Sequence, residues 1–237
     1  DQNAAQSAAP LSDHLYETVD AWDPLTSLAG EKKVLGYYAT GHPFHILAST
    51  VSLFIKDTLS ALKPSGKQSR AVAGMVTAVR QILTKRGKKM VILSIEDHTA
   101  TIDVTIFSEV LTSLPEDLLS DGALLVVSGP ISPDEYTGGI KVTADSVTSF
   151  ERYRQQKTKA IVIHTDHSNT SPVFLETLQS ILKAHKNTHS QVIIDYQSTQ
   201  ACAQLTLGES WKICLSDACL LALNKLCGTD KISIVPL

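Results

Sequence analysis

A chain of 237 residues with 43% hydrophobic and 19% charged residues can hold one large domain or two small ones, each with its own core. No uncharged run reaches the length of a membrane span, and the acidic first thirty residues lack the basic start of a signal peptide. The net charge of −3 conceals an uneven distribution: residues 1–31 carry acids and no Lys or Arg, whereas 56–89 is strongly basic, the local footprint that matters for a nucleic-acid contact.

Residues 1–30 read as a flexible acidic leader, polar and Ala/Gln-rich and interrupted by Pro10 and Pro24. Two apolar-periodic runs follow, 31–38 and 44–62, parted at Gly41-His42-Pro43; two short helices meeting at a turn are expected, and 63–67 reads as a linker. From Val72 the period changes. A long β-rich run, 72–83, bends or bulges near Gly74, then comes the turn Lys85-Arg86-Gly87-Lys88-Lys89 and a second strand over 90–96. After a turn at 97–100, residues 101–107 alternate strictly, with Ile102, Val104 and Ile106 on one face and Asp103 and Thr105 on the other.

Ser108 is placed to cap a helix over 108–119, with Val110, Leu111 and Leu114 on its apolar stripe and Pro115 in its second turn. Strands over 123–128 and 140–147 flank a loop at 129–139. Three strands, a helix and two strands is the order of a five-stranded OB-fold barrel. A polar bridge, 151–159, then leads to strands over 160–164, 191–196, 201–207, 211–215 and 231–235. Helices are expected over 172–186, with Val173, Leu175, Leu178, Ile181 and Leu182 inward, and from a Ser216 cap to Leu226, ended by Gly228. The fold class is therefore α+β: a helical N-terminal segment, an OB barrel and a small α/β C-terminal domain. The divisions expected are 1–30, 31–66, 67–150 and 156–237.

The candidate chemistry is recognition. In an OB barrel the loops joining strands one to two and four to five rim the oligonucleotide face, so the cations of 85–89 suit a phosphate backbone. A Lys-rich hairpin that protects a strand edge is the competing explanation. Aromatics for base stacking are sparse, Phe107 and Tyr136 being the candidates, and outward Asp103 should repel phosphate. Modest, sequence-indifferent affinity follows.

The histidine pairs 164/167 and 185/189 have ligand-like spacing, but no Glu or Cys set completes either, and neither a metal nor another cofactor is expected. Cys202, Cys214, Cys219 and Cys227 form no C-x-x-C pair and should be buried free thiols in a reducing cytosol. No phosphate loop, nucleophile elbow or paired-carboxylate motif appears, so the chain alone is expected to be no enzyme.

The stretch Glu31-Lys32-Lys33-Val34-Leu35-Gly36-Tyr37-Tyr38-Ala39-Thr40-Gly41-His42-Pro43 resembles a segment near the C-terminal end of bacterial replicative DNA polymerase III alpha subunits. The resemblance continues through Thr84-Lys85-Arg86-Gly87, Ser128-Gly129, Tyr136-Thr137-Gly138-Gly139-Ile140-Lys141 and Gly208-Glu209-Ser210-Trp211-Lys212. It implies an OB domain near single-stranded template, with Lys85, Arg86, Lys88, Lys89, Tyr136 and Lys141 as DNA contacts. It also implies a terminal domain, including Trp211, for the clamp-loader tau subunit; Trp211 in a strand suits the core, and as an exposed aromatic it would suit a partner contact.

The resemblance makes 31–66 the end of the clamp-binding region. The family's short clamp-binding peptide is not found in 1–30 and is expected upstream, so the sliding clamp is not an expected partner of this chain. The catalytic carboxylates of that nucleotidyltransferase family lie far upstream, and a cytoplasmic replisome component is implied. Two alternatives stay open: a protein-interaction scaffold with little or no nucleic-acid binding, and an anticodon-type RNA binder.

Overall fold

The computed structural model describes residues 22, 24–84, 87–115, 118–134, 138–166, 170–199 and 201–237. It divides into two compact units, with the boundary after Ile46.

In the first unit, α1 (Pro24–Leu35) starts on a proline, whose fixed φ suits a first turn, and so begins inside the segment read as leader. Lys32 and Lys33 sit in its last turn, where cations offset the helix dipole, and Gly36 ends it at φ 85°. Glu31 then organises the following turn. Its carboxylate accepts from the Ala39 and Thr40 amides at 2.7 and 3.0 Å and from the Thr40 hydroxyl at 2.6 Å, and the Thr40 hydroxyl bond chiefly holds its pKa below the usual carboxylate value. A second helix, α2 (Pro43–Phe54), again opens on proline and runs past the boundary at Ile46; it ends well short of residue 62, and Leu59–Ala61, within the second unit, is instead a separate 3₁₀ turn.

The second unit holds two sheets. β1 (Ser69–Leu83), β2 (Lys89–Glu96), β3 (Thr101–Phe107), β4 (Leu124–Pro133) and β5 (Ile140–Thr143) close into a ring in the order β1-β2-β3-β5-β4 and back to β1, with β3 and β5 parallel. β1 serves both ends of the ring: residues 69–75 pair with β4, and from Met75 on it pairs with β2, with a bulge between Val76 and Ala78. Gly74 lies at that crossing, where an added Cβ would press 3.0 Å from the Ile95 Cβ.

The single strand expected over 140–147 is broken at 144–145 into β5 and β6 (Ser146–Ser149), because Ala144 bonds back to the Thr105 carbonyl and Asp145 to that of Ser128. This wrap brings the Thr143 carbonyl against Gly129, where any Cβ would collide with it. Gly129 therefore lies within β4, which runs on to Pro133 through what was expected to be loop.

The helix between β3 and β4 is shorter than its apolar stripe suggests. α3 (Ser108–Leu111) lasts about one turn; Ser108 is inside it, and Phe107 occupies the cap position without a side-chain bond. Pro115 lacks an N–H and disfavours helix in the residue before it, yet Leu111, Leu114, Leu118 and Leu119 still pack on the barrel core. That core includes Val72, Leu93, Ile95, Val104, Ile106, Leu125, Ile131 and Val142, and each fully buried Leu or Ile contributes on the order of 2 kcal/mol. Leu59 adds to it, held by its amide donating to Asp97 at 2.8 Å, while Ser65, in the expected linker, exchanges bonds with Ile131 of β4.

The polar bridge after the barrel is a helix, α4 (Phe150–Lys157), capped by Ser149, whose hydroxyl accepts from the Arg152 amide. It is also buried on one side. Arg154 donates to the Leu215 carbonyl at 3.2 Å and to Asp217 at 2.6 Å, and Phe150 meets Phe54 edge-on. The C-terminal sheet follows in the order β10-β7-β8-β9, formed by β7 (Thr158–Asp166), β8 (Lys186–Gln197), β9 (Cys202–Thr206) and β10 (Ile232–Pro236). β7 and β8 are parallel, joined through α5 (Pro172–Ala184), and α6 (Asp217–Cys227) has the expected Ser216 cap.

Two expectations fail here. Residues 211–215 form no regular strand: Glu209–Trp211 is a 3₁₀ turn, and Ile213 makes isolated bridges only. On α5 the fully buried side chains are Leu178 and Leu182, with Phe174 and Ile181 packed beside them, whereas Val173 and Leu175 face solvent. No helix among the described residues is long and apolar enough to cross a membrane.

Candidate nucleic-acid interface

Alternation along β2 and β3 sends Val91, Leu93, Ile95, Ile102, Val104 and Ile106 inward, so Met90, Ile92, Ser94, Asp103, Thr105 and Phe107 form the outer face. Register sets their neighbours. Ile82, Met90 and Phe107 lie in one cross-strand row, and Arg80, Ile92 and Thr105 in the next. Phe107 is 43% exposed and Ile82 41%, which settles Phe107 as a surface aromatic rather than a core one. The parity was readable in the sequence: three inward residues at 102, 104 and 106 put 107 outside.

The hairpin joining β1 to β2 sits at the end of the Phe107 row, since Leu83 pairs with Lys89 one position beyond Ile82 and Met90. Thr84 closes it, its hydroxyl bonding the Lys88 carbonyl and amide, and Gly87 turns it at φ 73°. Lys85 and Arg86, the first two expected DNA contacts, lie outside the described residues, as does Tyr136 of the second loop. Lys88 and Lys89 are both exposed at the hairpin end, while Lys141 stands on β5 beside β4.

These cations are not a bare positive patch. Lys88 pairs with Glu109 at 2.7 Å, Lys141 with Asp134 at 3.6 Å, and Arg80 with Asp103 at 3.2 Å. The Lys88 bond is the main cause that pulls the Glu109 pKa down to about 2. Lys89 has no acidic partner among the described residues. Asp103, expected as a free repulsive charge, is instead shared between Arg80 and the Ser94 hydroxyl at 2.7 Å. Arg80 was missed as a site residue; its place in alternation with Ile82 at the end of a long β-run was the available signal.

In the C-terminal part, Trp211 is half-buried against the second core, and with Leu182, Lys183, Lys186 and Ser210 it lines a shallow cavity of about 150 Å³. The cysteines are free but unevenly buried: Cys202 is exposed on β9, Cys219 is fully buried, and burial pushes the Cys219 thiol up to about 11. His164 bonds Asp195 through Nδ1 and Ser233 through Nε2, both at 2.9 Å, a polar tie across three strands. His167 lies outside the described residues, and His189 bonds Asn187 instead of joining His185 at a metal. No group of three or more His, Cys, Asp or Glu among the described residues could hold a metal ion.

Comparison with known proteins gives two family matches: an OB-fold nucleic acid binding domain over residues 71–150, and the DNA polymerase III subunit alpha C-terminal domain over 177–228. The DNA polymerase III subunit alpha of Vibrio cholerae is 33% identical over 92% of this chain, and that of Escherichia coli K12 is 29% identical over 92%. Each match spans 19% of the relative's own length. Among solved structures, the second OB-fold domain of replication protein A from Methanococcus maripaludis is 20% identical, with a TM-score of 0.31, covering 40% of this chain and 94% of that one. The chain is a homologue of the C-terminal OB-fold and C-terminal-domain region of DNA polymerase III alpha subunits, a region outside the polymerase catalytic domain.

Proposed function

We propose, with that homology as premise, that this chain is the non-catalytic C-terminal part of a replicative polymerase. Its OB barrel (67–150) grips single-stranded template DNA, and its C-terminal domain (156–237) binds the clamp-loader tau subunit in the cytoplasm. One observation carries the DNA half: exposed Phe107, with Met90 and Ile82, shares an outer face with the cationic hairpin bearing Lys88 and Lys89. A base can stack on the row while neighbouring phosphates reach the lysines. Lys141, on β5, and Lys85, Arg86 and Tyr136, taken from the resemblance, complete the proposed contacts. Trp211 is the proposed anchor for tau, an aromatic beside a shallow cavity being a common interface hot spot.

The test is fluorescence anisotropy of a labelled single strand at several salt concentrations. Replacing Lys85, Arg86, Lys88 and Lys89 together by alanine should flatten the slope of log K against log salt by up to about 3, at ~0.7 per lost phosphate contact. Phe107→Ala should cost about 1–3 kcal/mol of binding. Unchanged affinity in the fourfold variant would refute the hairpin's role. Capture of tau by the full chain, weakened in Trp211→Ala, tests the other half. A scaffold reading is favoured by the acids already paired with Arg80, Lys88 and Lys141, and it predicts no measurable single-strand affinity in the same titration.

A further inference from the structure

Residues 56–70 carry four cations, Lys56, Lys63, Lys67 and Arg70, against one acid, Asp57. The segment leads into β1 and reads as a tether, yet it is fastened to the barrel. The Ser65 amide donates to the Ile131 carbonyl and the Ser65 hydroxyl accepts from the Ile131 amide, both at 3.0 Å. The same hydroxyl donates to the Gln68 carbonyl at 2.6 Å, and the Gln68 amide closes a turn onto the Ser65 carbonyl at 3.1 Å. Gly66 enters that turn at φ 62°, where a side chain would be strained. Lys63 and Lys67 therefore stand exposed on either side of a pinned point, and a backbone held in advance lowers the ordering cost of a contact made there.

The charge on this segment is left open where the neighbouring cations are neutralised. Arg70, Arg80, Lys88 and Lys141 lie against Asp57, Asp103, Glu109 and Asp134. Lys56, Lys63 and Lys67 are exposed and pair with no acid among the described residues. A cation with no acid beside it can take a phosphate by displacing counterions, without first breaking an ion pair. Register sets the segment in line with the outer face of the barrel. Ser94 of β2 lies beside Asp103 of β3, Asp103 beside Lys141 of β5, and Lys141 beside Ser132 of β4. Ser65 takes the next place, against Ile131, on the edge of β4 that β1 joins where Ser69 meets Pro130. From β2 to this segment is four strand spacings, roughly 20 Å along the curved face.

We propose that residues 63–67 are a second phosphate-contact segment, where Lys63 and Lys67 bind the backbone of single-stranded DNA that has crossed the outer face and runs past β4. The hairpin bearing Lys88 and Lys89 then holds one end of the bound strand and this segment the other, with β3 and β5 between them. Lysines on long flexible stems read phosphate and no base edge, so the contact lengthens the footprint and adds no sequence preference. The inference rests on the DNA-binding half of the proposed function and sets the far boundary of the strand on the barrel.

The test is an anisotropy titration of the full chain with oligothymidylates of roughly 6 and 20 nucleotides, which bracket the reach of one OB fold. The variant Lys63→Ala/Lys67→Ala keeps Ser65 and changes two exposed side chains, so its unfolding midpoint in urea should match the wild type. For the longer strand it should flatten the slope of log K against log salt by about 1.4, two contacts at ~0.7 each. Binding near 100 mM salt should weaken on the order of tenfold, and Lys63→Glu/Lys67→Glu should weaken it further. The shorter strand can sit at the hairpin end alone and should lose less than about half of that slope. An unchanged slope for the longer strand in both variants overturns the proposal, as does an equal loss at both lengths. A duplex of the longer length that binds as tightly and loses as much overturns the single-strand assignment. If the fourfold hairpin variant loses binding while these variants do not, this segment's role falls and the OB reading stands; if the wild type binds neither strand, both fall.

Discussion

Asp103→Asn should tighten single-strand binding, although it removes an ion pair. Asp103 holds Arg80 at 3.2 Å on the outer face of the barrel, two rows from Phe107 with Arg80 in the row between, and accepts from Ser94 at 2.7 Å through its other oxygen. Asparagine can present its carbonyl oxygen to Ser94 and keep that bond while losing the charge. The two side chains are 60% and 32% exposed, so the pair is worth about 0.2–1 kcal/mol and its loss leaves the protein folded. Binding changes in two ways. Removing a negative charge roughly 7 Å from a phosphate relieves about 0.6 kcal/mol in water, close to threefold.

Releasing Arg80 to neutralise one more phosphate steepens the salt slope by about 0.7, or ~2.6-fold more change between 50 and 200 mM salt. Anisotropy with a fluorescein-labelled oligothymidylate at 50, 100 and 200 mM salt measures both. A three- to tenfold gain, order of magnitude, is expected at the lowest salt. Unchanged or weaker affinity, with an unfolding midpoint near that of the wild type, would mean that the strand does not cross this face.

Two further predictions concern the C-terminal part. Arg154→Ala should lower unfolding free energy in urea by about 2 kcal/mol, because the Leu215 carbonyl loses its guanidinium donor inside the fold. A change below ~0.5 kcal/mol would show that α4 is not anchored through this residue. In the native protein Cys202 should react first with a thiol reagent and Cys219 only on unfolding, since Cys202 is exposed and burial keeps the Cys219 thiol protonated. Mass-spectrometric mapping of a short labelling pulse reads the order, and early modification of Cys219 would contradict the packing of α6.

Several elements are legible in the sequence alone. Strict alternation over 101–107 located β3 and its inward face, because a strand has a period of two and one face must leave water. Ser216 and Gly228 marked the ends of α6 through cap chemistry that needs no tertiary partner. Other elements were misread where distant contacts override local pattern. Residues 151–157 look like a linker until Arg154 finds the Leu215 carbonyl and Asp217, more than sixty positions away. Residues 211–215 look like a strand because they are apolar, yet Ile213 and Leu215 are buried without joining a regular ladder.

The Lys85–Lys89 hairpin, the five barrel strands and the resemblance to a replicative polymerase follow from the sequence by itself, since turn chemistry, periodicity and motif order are properties of neighbouring residues. Only the tertiary structure decided how the charges are spent. Glu109, Asp103 and Asp134 come to lie against Lys88, Arg80 and Lys141, which turns an apparent basic patch into paired charges around an exposed Phe107. His164 likewise reaches Asp195 and Ser233 only once β7, β8 and β10 lie side by side. Electrostatics acts through space, and a sequence records separation along the chain alone.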